Sequence, residues 1–237
     1  MSILVISDLH FEKESFRGIY QGGALDWLLK IVDKTKPTVL VGLGDWGSAW
    51  TREDWNLLTQ KVTTHAIFGN HDNVDLLESV KNKDGSKMLA RDGEIRTIEG
   101  IKFGFINGIM SEKGIPRHNI PRSTSEDFLR IASTNFKRID ILCTHESPIV
   151  PEYGKKFDSG IGPAAMTKVI EKIQPKISLS GHLGFGPYTV SKIDKTLTIR
   201  IESGQINKHY GIINPDENDA EVWNDENLVE KLSIHLK

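Results

Sequence analysis

Short runs of apolar, largely β-branched residues recur along this chain, and several of them stop at an aspartate, asparagine or histidine. Residues 3–7 run into Asp8-Leu9-His10, residues 38–43 into Gly44-Asp45, and residues 64–68 into Gly69-Asn70-His71-Asp72. Runs 139–143 and 177–179 lead in the same way to His145 and to Gly181-His182. A short apolar run bounded by polar punctuation reads as a buried strand. Between the first three runs, residues 24–32 carry apolar side chains at helical spacing, with Pro37 stopping the helix, and residues 54–62 read as a second helix. Strand, helix, strand, helix, strand predicts a parallel sheet with helices on its faces. Ligands of such sheets sit at the carboxyl ends of the strands. With those ends aligned in one sheet, the five segments converge on a single site.

The middle of the chain changes character. Residues 88–89, 96–98 and 102–106 read as short strands separated by Arg91-Asp92-Gly93 and Glu99-Gly100, a hairpin pattern. Residues 108–125 are polar and broken by Gly114, Pro116 and Pro121, so a long surface loop is expected, with Ser125 capping a helix to about residue 136. A second loop spans 148–162 and a helix spans 163–173. Val190, 197–201 and 210–213 read as closing strands, and the tail is acidic and then amphipathic through Leu228, Leu232 and Leu236. One domain over residues 1–237 is the expectation, a length ample for a sizeable core.

Asp, Asn and His bind divalent metals through oxygen or imidazole nitrogen. Asp45, following a strand and a glycine, suits a carboxylate held between two ions. Asp8 and His10 lie two apart and, in an extended segment, would face the same side to grip one ion. Asn70, His145 and His182 would complete the other. His71 would then face the substrate and protonate a leaving-group oxygen. Asp72 would orient the His71 ring and raise its pKa. The nucleophile would be a hydroxide bridging the ions, because coordination lowers the pKa of water towards about 7. Each segment alone has an ordinary reading as a helix cap, a turn or a surface residue. Five in order, each ending a buried strand, favour one dinuclear site that hydrolyses a phosphate ester.

Composition sets the surroundings. A net charge of −2 gives no global basic excess of the kind a dedicated nucleic-acid binder shows. Nucleic acid is therefore expected only as a possible substrate. The apolar run at the N-terminus is too short to span a bilayer, and no cleavage-type signal follows it. Cys143 is the only cysteine and makes no intrachain disulfide. No membrane association and a cytoplasmic location are the expectations.

The ordered motifs resemble those of the calcineurin-like metallophosphoesterase superfamily: D-x-H, G-D, G-N-H-[D/E], a lone H, and G-H-x-H. The match runs from Asp8 to His182, with Gly69-Asn70-His71-Asp72 its most specific block. The resemblance implies an α/β fold, a four-layer α/β/β/α sandwich of two mixed sheets flanked by helices. It implies two divalent metal ions, of manganese, iron or zinc. Asp8, His10 and Asp45 would hold the first, and Asp45, Asn70, His145 and His182 the second. His71 and Asp72 would be the catalytic pair. One departure stands out: Gly184 occupies the place of the second His of the last motif, which implies a weaker, more exchangeable first metal.

Other residues bear on the substrate. Arg117 and Arg122, in the long loop with His118, match a phosphate clamp, since guanidinium pairs with phosphate in a bidentate way. Trp46, next to Asp45, would wall the pocket or stack on a base, whereas Trp50 and Trp55 read as core. Lys155, Lys156 and Phe157 form a possible basic rim, and Glu146 a possible orienter of His145. The leading function is hydrolysis of a phosphomonoester or phosphodiester. The alternative is a protein-interaction scaffold on the same fold, similar to the retromer subunit that resembles a phosphoesterase. The His71-Asp72 pair speaks for the enzyme. A DNA nuclease fits less well, given the near-neutral charge.

Overall fold

The computed structural model describes residues 1–16, 18–136, 138–149, 160–183 and 186–236. Lys155, Lys156, Phe157 and Gly184 lie outside them. In chain order the elements are β1 (Ile3–Ile6), β2 (Ser15–Phe16), β3 (Ile19–Tyr20), α1 (Ala24–Thr35), β4 (Val39–Leu43), α2 (Arg52–Lys61), β5 (Thr63–Ile67), α3 (Val74–Ser79), β6 (Ile95–Ile98), β7 (Ile101–Ile106), α4 (Ser125–Asn135), β8 (Ile141–Thr144), α5 (Ile161–Ile173), β9 (Ile177–Ser180), β10 (Tyr188–Ile193), β11 (Thr196–Ile201), β12 (His209–Asn214), β13 (Asp219–Asn224) and β14 (Asn227–Ser233).

Alternate side chains of one strand serve two cores, as the period of two requires. Leu4 and Ile6 of β1 pack with Leu28 and Ile31 of α1 and Leu58 of α2. Ile3 and Val5 face the other way and meet Phe103, Phe105, Ile141 and Ile199 of a second sheet. That sheet's other face, through Ile106 and Leu142, packs on Phe128 of α4 and Met166 and Val169 of α5. The result is helices, sheet, sheet, helices: the four-layer sandwich. Both sheets are six-stranded, ordered β14-β13-β12-β1-β4-β5 and β10-β11-β9-β8-β7-β6. Strands β1, β4 and β5 are parallel, as the alternation predicts, and β12 joins β1 antiparallel. In the second sheet β7, β8, β9 and β11 are parallel, with β6 and β10 antiparallel at the edges.

Several local expectations shift. Thr124, not Ser125, caps α4, in a capping box with Asp127. Thr51 caps α2 in the same way through Asp54. Helix α5 starts at Ile161, which puts Pro163 in the first turn, where its missing N–H costs nothing. Leu89 makes a single bridge to Ala66 rather than a strand. The tail forms the β13–β14 hairpin, with Leu232 turned to the inter-sheet core and Leu228 exposed. Helix α3 and the small β2–β3 hairpin have no counterpart in the sequence reading. No helix of the described residues is long and apolar enough to cross a membrane.

Candidate metal centre

The five motif segments do meet, but at the edge of two sheets rather than one. Asp8, Asp45 and Asn70 follow β1, β4 and β5 of the first sheet; His145 and His182 follow β8 and β9 of the second. Two loops continue the strand pairing beyond the sheet: Asp8 N–H donates to Gly44 O, His10 N–H to Asp45 O and Phe11 N–H to Trp46 O. Asp8 (φ 52°), His10 (φ 47°), Asp45 (φ 54°) and His182 (φ 69°) are all left-handed. Such a conformation costs a non-glycine residue about 1–2 kcal/mol. It persists where the surroundings over-determine it, as at functional sites. Here the hydrogen bonds around Asp8 and Asp45 do so.

The side chains form two groups that share Asp45. In each of Asp8/His10/Asp45 and Asp45/His145/His182, ligand atoms lie within 4.8 Å of one another. His10 Nε2 is 3.7 Å from Asp45 Oδ2 and 3.9 Å from Asp8 Oδ1, and His145 Nε2 is 3.3 Å from Asp45 Oδ1. Ser7 Oγ donates to Asp8 Oδ2 at 2.7 Å, and His182 N–H donates to both Asp8 oxygens. Gly69 and Gly181 are needed for this approach. A Cβ on Gly69 would stand 2.2 Å from Asp45 Oδ1, and one on Gly181 would stand 2.3 Å from Asp8 Oδ2.

The donor set fits divalent cations. His145 is fully buried and donates Nδ1–H to Leu43 O at 2.8 Å. That contact fixes Nδ1 as the protonated nitrogen of the neutral ring, so Nε2 is the atom the ring offers to an ion, and Nε2 has no hydrogen-bond partner. Asn70 Oδ1 is likewise buried and unpartnered. Buried polar atoms without partners are rare and call for a reason; a bound cation would supply one. In the protein alone, burial opposes charge on His145, but Asp45 outweighs it and raises its pKa to about 10. Burial, then His145, lowers His182 to about 3. The Asp45 carboxyl is held well below its ordinary value, because the attraction of His145, His10 and His71 overcomes its burial.

Asp72 does not do what the sequence suggests. Its Oδ2 accepts from Asp45 N–H (2.9 Å) and Gly69 N–H (2.7 Å), and its Oδ1 from Trp46 N–H (2.7 Å) and Gly47 N–H (3.2 Å). All four lone-pair directions of the carboxylate are therefore taken by backbone, and no hydrogen bond joins it to the His71 ring. Asp72 clamps the loop that carries Asp45. Burial, then the Asp45 carboxylate, raises its pKa, against the N–H donors that lower it. The His71 ring is exposed and lies edge-on to His10, centroids 5.2 Å apart, while His71 N–H donates to Asp45 Oδ1.

Three further expectations are corrected. Trp46 is 1% exposed and does not wall the pocket. Its Nε1–H donates to Ile67 O and its ring packs edge-on against Trp50 and Trp55, so it belongs to the core beneath the site. Glu146 does not orient His145, whose ring is held by Leu43; its Oε2 accepts from Met110 N–H. Arg117 is exposed on a turn paired with Ile120. Arg122 comes closer: its charge acts on His182 and Glu146, and its Nε is buried without a hydrogen-bond partner.

A cavity of about 600 Å³ opens over the two groups, lined by Asp8, His10, Asp45, Asn70, His71 and His182 and also by Glu12, Phe16 and Glu202. Glu202 escaped the sequence reading. Yet it has the same signal as the others, an acid directly after an apolar strand (197–201) and before Ser203-Gly204.

A family model described as calcineurin-like phosphoesterase matches residues 1–184. No curated protein matches the chain in sequence. Among solved structures, TT1561 of Thermus thermophilus superposes with a TM-score of 0.68 at 14% identity, over 95% of this chain and 99% of that one. The purple acid phosphatase PPD1 of yellow lupin gives 0.58 at 10% identity, over 99% of this chain and 53% of its own. GAP50, the anchor in the inner membrane complex of Plasmodium, gives 0.56 at 12%, over 100% and 89%. At these identities the likeness is one of fold.

Proposed function

Since this chain belongs to the calcineurin-like phosphoesterase family, we propose that it is a dinuclear metal-dependent hydrolase of phosphomonoesters or phosphodiesters. The observation that carries this reading is the pair of ligand groups sharing Asp45, with His145 Nε2 and Asn70 Oδ1 buried and unpartnered beside it. Asp8, His10 and Asp45 would hold one ion, and Asp45, Asn70, His145 and His182 the other. Divalent ions there would supply Lewis acidity and a water whose pKa is lowered towards about 7, making hydroxide available for in-line attack on phosphorus.

The remaining chemistry belongs to the protein. His71 lines the cavity with its ring exposed, and it would give a proton to the departing oxygen. The His10 ring, edge-on beside it, limits its rotation. Asp72 contributes by fixing the Asp45 loop, not by touching His71. Arg122, whose charge acts on His182 and whose buried Nε has no hydrogen-bond partner, would take a phosphate oxygen.

The test is hydrolysis of p-nitrophenyl phosphate and bis-p-nitrophenyl phosphate with added Mn²⁺. Wild type should be active, His71→Ala should lose about 10²–10⁴-fold in kcat while keeping its ions, and Asp45→Ala should lose activity and both ions. Activity that survives Asp45→Ala, or wild-type protein that binds no divalent ion, would defeat the reading.

A further inference from the structure

The two ligand groups are unequal. The second has Asp45, His145 and His182, with Asn70 on the cavity wall it shares with Asp45 and His182. The first has, among the described residues, only Asp8, His10 and Asp45. Glu202 lies next to that poorer group. Strand β11 runs parallel to β9, with Arg200 opposite Ser180, so Glu202 emerges at the sheet edge where His182 does. Ser203 N–H donates to Ser7 O at 2.7 Å, and Ser7 N–H donates to Ser203 Oγ at 3.2 Å. Those two bonds tie the end of β11 to the residue before Asp8, and Glu202 shares the cavity wall with Asp8 and His10.

The state of the carboxylate is telling. Glu202 Oε2 is buried and has no hydrogen-bond partner. The Arg200 guanidinium stands 4.0 Å away, beyond hydrogen-bond reach, and directs Nη1–H and Nη2–H to Leu183 O and Gly186 O, each at 2.8 Å. Charge makes a similar point. Asp8 and Asp45 are the only carboxylates in the two groups, two negative charges against the four positive of two divalent ions. A third carboxylate on the side of the first ion reduces that excess where protein ligands are fewest.

We propose that Glu202 is the additional anionic contributor to the first cation site, acting on the ion bound by Asp8, His10 and Asp45 and not on its neighbour. This rests on the dinuclear reading above. It makes Glu202 a positioning residue for one metal, and it offsets the weaker first site that the sequence implies.

Metal-stripped protein titrated with Mn²⁺ alone, by equilibrium dialysis with metal analysis, separates the outcomes. Glu202→Gln should raise Kd for one of the two ions by about ten- to a hundred-fold, the scale of a lost supporting carboxylate. The other should stay within about twofold, and Glu202→Asp should fall between. Asp8→Asn marks the first site by weakening the same ion. If Glu202 is only a counter-charge for Arg200, Glu202→Gln lowers the melting temperature and leaves both Kd values unchanged, which overturns the proposal. Equal weakening of both ions overturns it as well. Wild type binding no Mn²⁺ overturns the dinuclear reading itself, a result distinct from either.

Discussion

Replacing Asp72 by asparagine separates a structural clamp from a catalytic partner. The carboxylate receives four backbone N–H groups, two on each oxygen. An asparagine has one oxygen and one NH₂, so whichever way the amide turns, two N–H groups face a donor. Those donors are either the pair from Asp45 and Gly69 or the pair from Trp46 and Gly47. Each buried donor left without an acceptor costs roughly 1–3 kcal/mol, so the expected loss is about 4 kcal/mol. For a chain of this size, 1 kcal/mol moves the melting temperature by about 2–4 °C, which gives a fall of about 8–16 °C. Because the clamp holds the Asp45 loop, Mn²⁺ binding at both sites should weaken together. Calorimetry in metal-free buffer reads the first effect, and equilibrium dialysis reads the second. Had Asp72 served to orient His71, Asp72→Asn would keep its melting temperature and both ions and would move only one limb of the pH–rate profile. That result would refute the clamp.

Two further tests probe the surface of the fold and the site. His65 Nδ1 accepts from Arg96 Nη1 at 2.8 Å, and burial, then the Arg96 charge, lowers its pKa from 6.5 to about 4. The unfolded chain therefore binds a proton first as pH falls. Stability is complete above about pH 6.5 and is lost towards pH 4, by about 2 kcal/mol at pH 5. Urea midpoints at pH 7 and pH 5 should converge less in wild type than in His65→Gln, and parallel loss would exclude His65 as the cause. Arg122→Ala should raise KM for p-nitrophenyl phosphate about tenfold, the worth of one charged hydrogen bond, whereas Arg117→Ala, on its exposed turn, should leave KM alone. Equal effects of the two would remove Arg122 from the site.

What the sequence reveals and what it hides divide along a physical line. Period and punctuation are local, so the parallel β1–β4–β5 core, helices α1, α2 and α5, and the strand ends carrying Asp8, Asp45, His145 and His182 can be read directly. Partners at a distance cannot. Asp72 beside His71 in the chain suggests a dyad, yet the peptide turn sends its carboxylate back to Trp46 and Gly47, far earlier in sequence. Trp46 beside Asp45 suggests a pocket wall, yet its indole reaches Ile67 O beneath the site. In both cases neighbours in sequence point to opposite sides of their loop, and at Asp45 that split goes with a left-handed backbone (φ 54°). The tail misleads for a related reason. Leu228, Leu232 and Leu236 are spaced as on a helix, but a bulge between Val222 and Trp223 shifts the β13–β14 register. Leu232 and Leu236 then reach the inter-sheet core while Leu228 stays exposed. Glu202 shows the converse. The rule that singled out Asp8 and Asp45, an acid after a buried strand, applies to it equally, but nothing local says that β11 runs parallel to β9. Sheet order decides which acids meet at one edge, and that order is set by packing between layers.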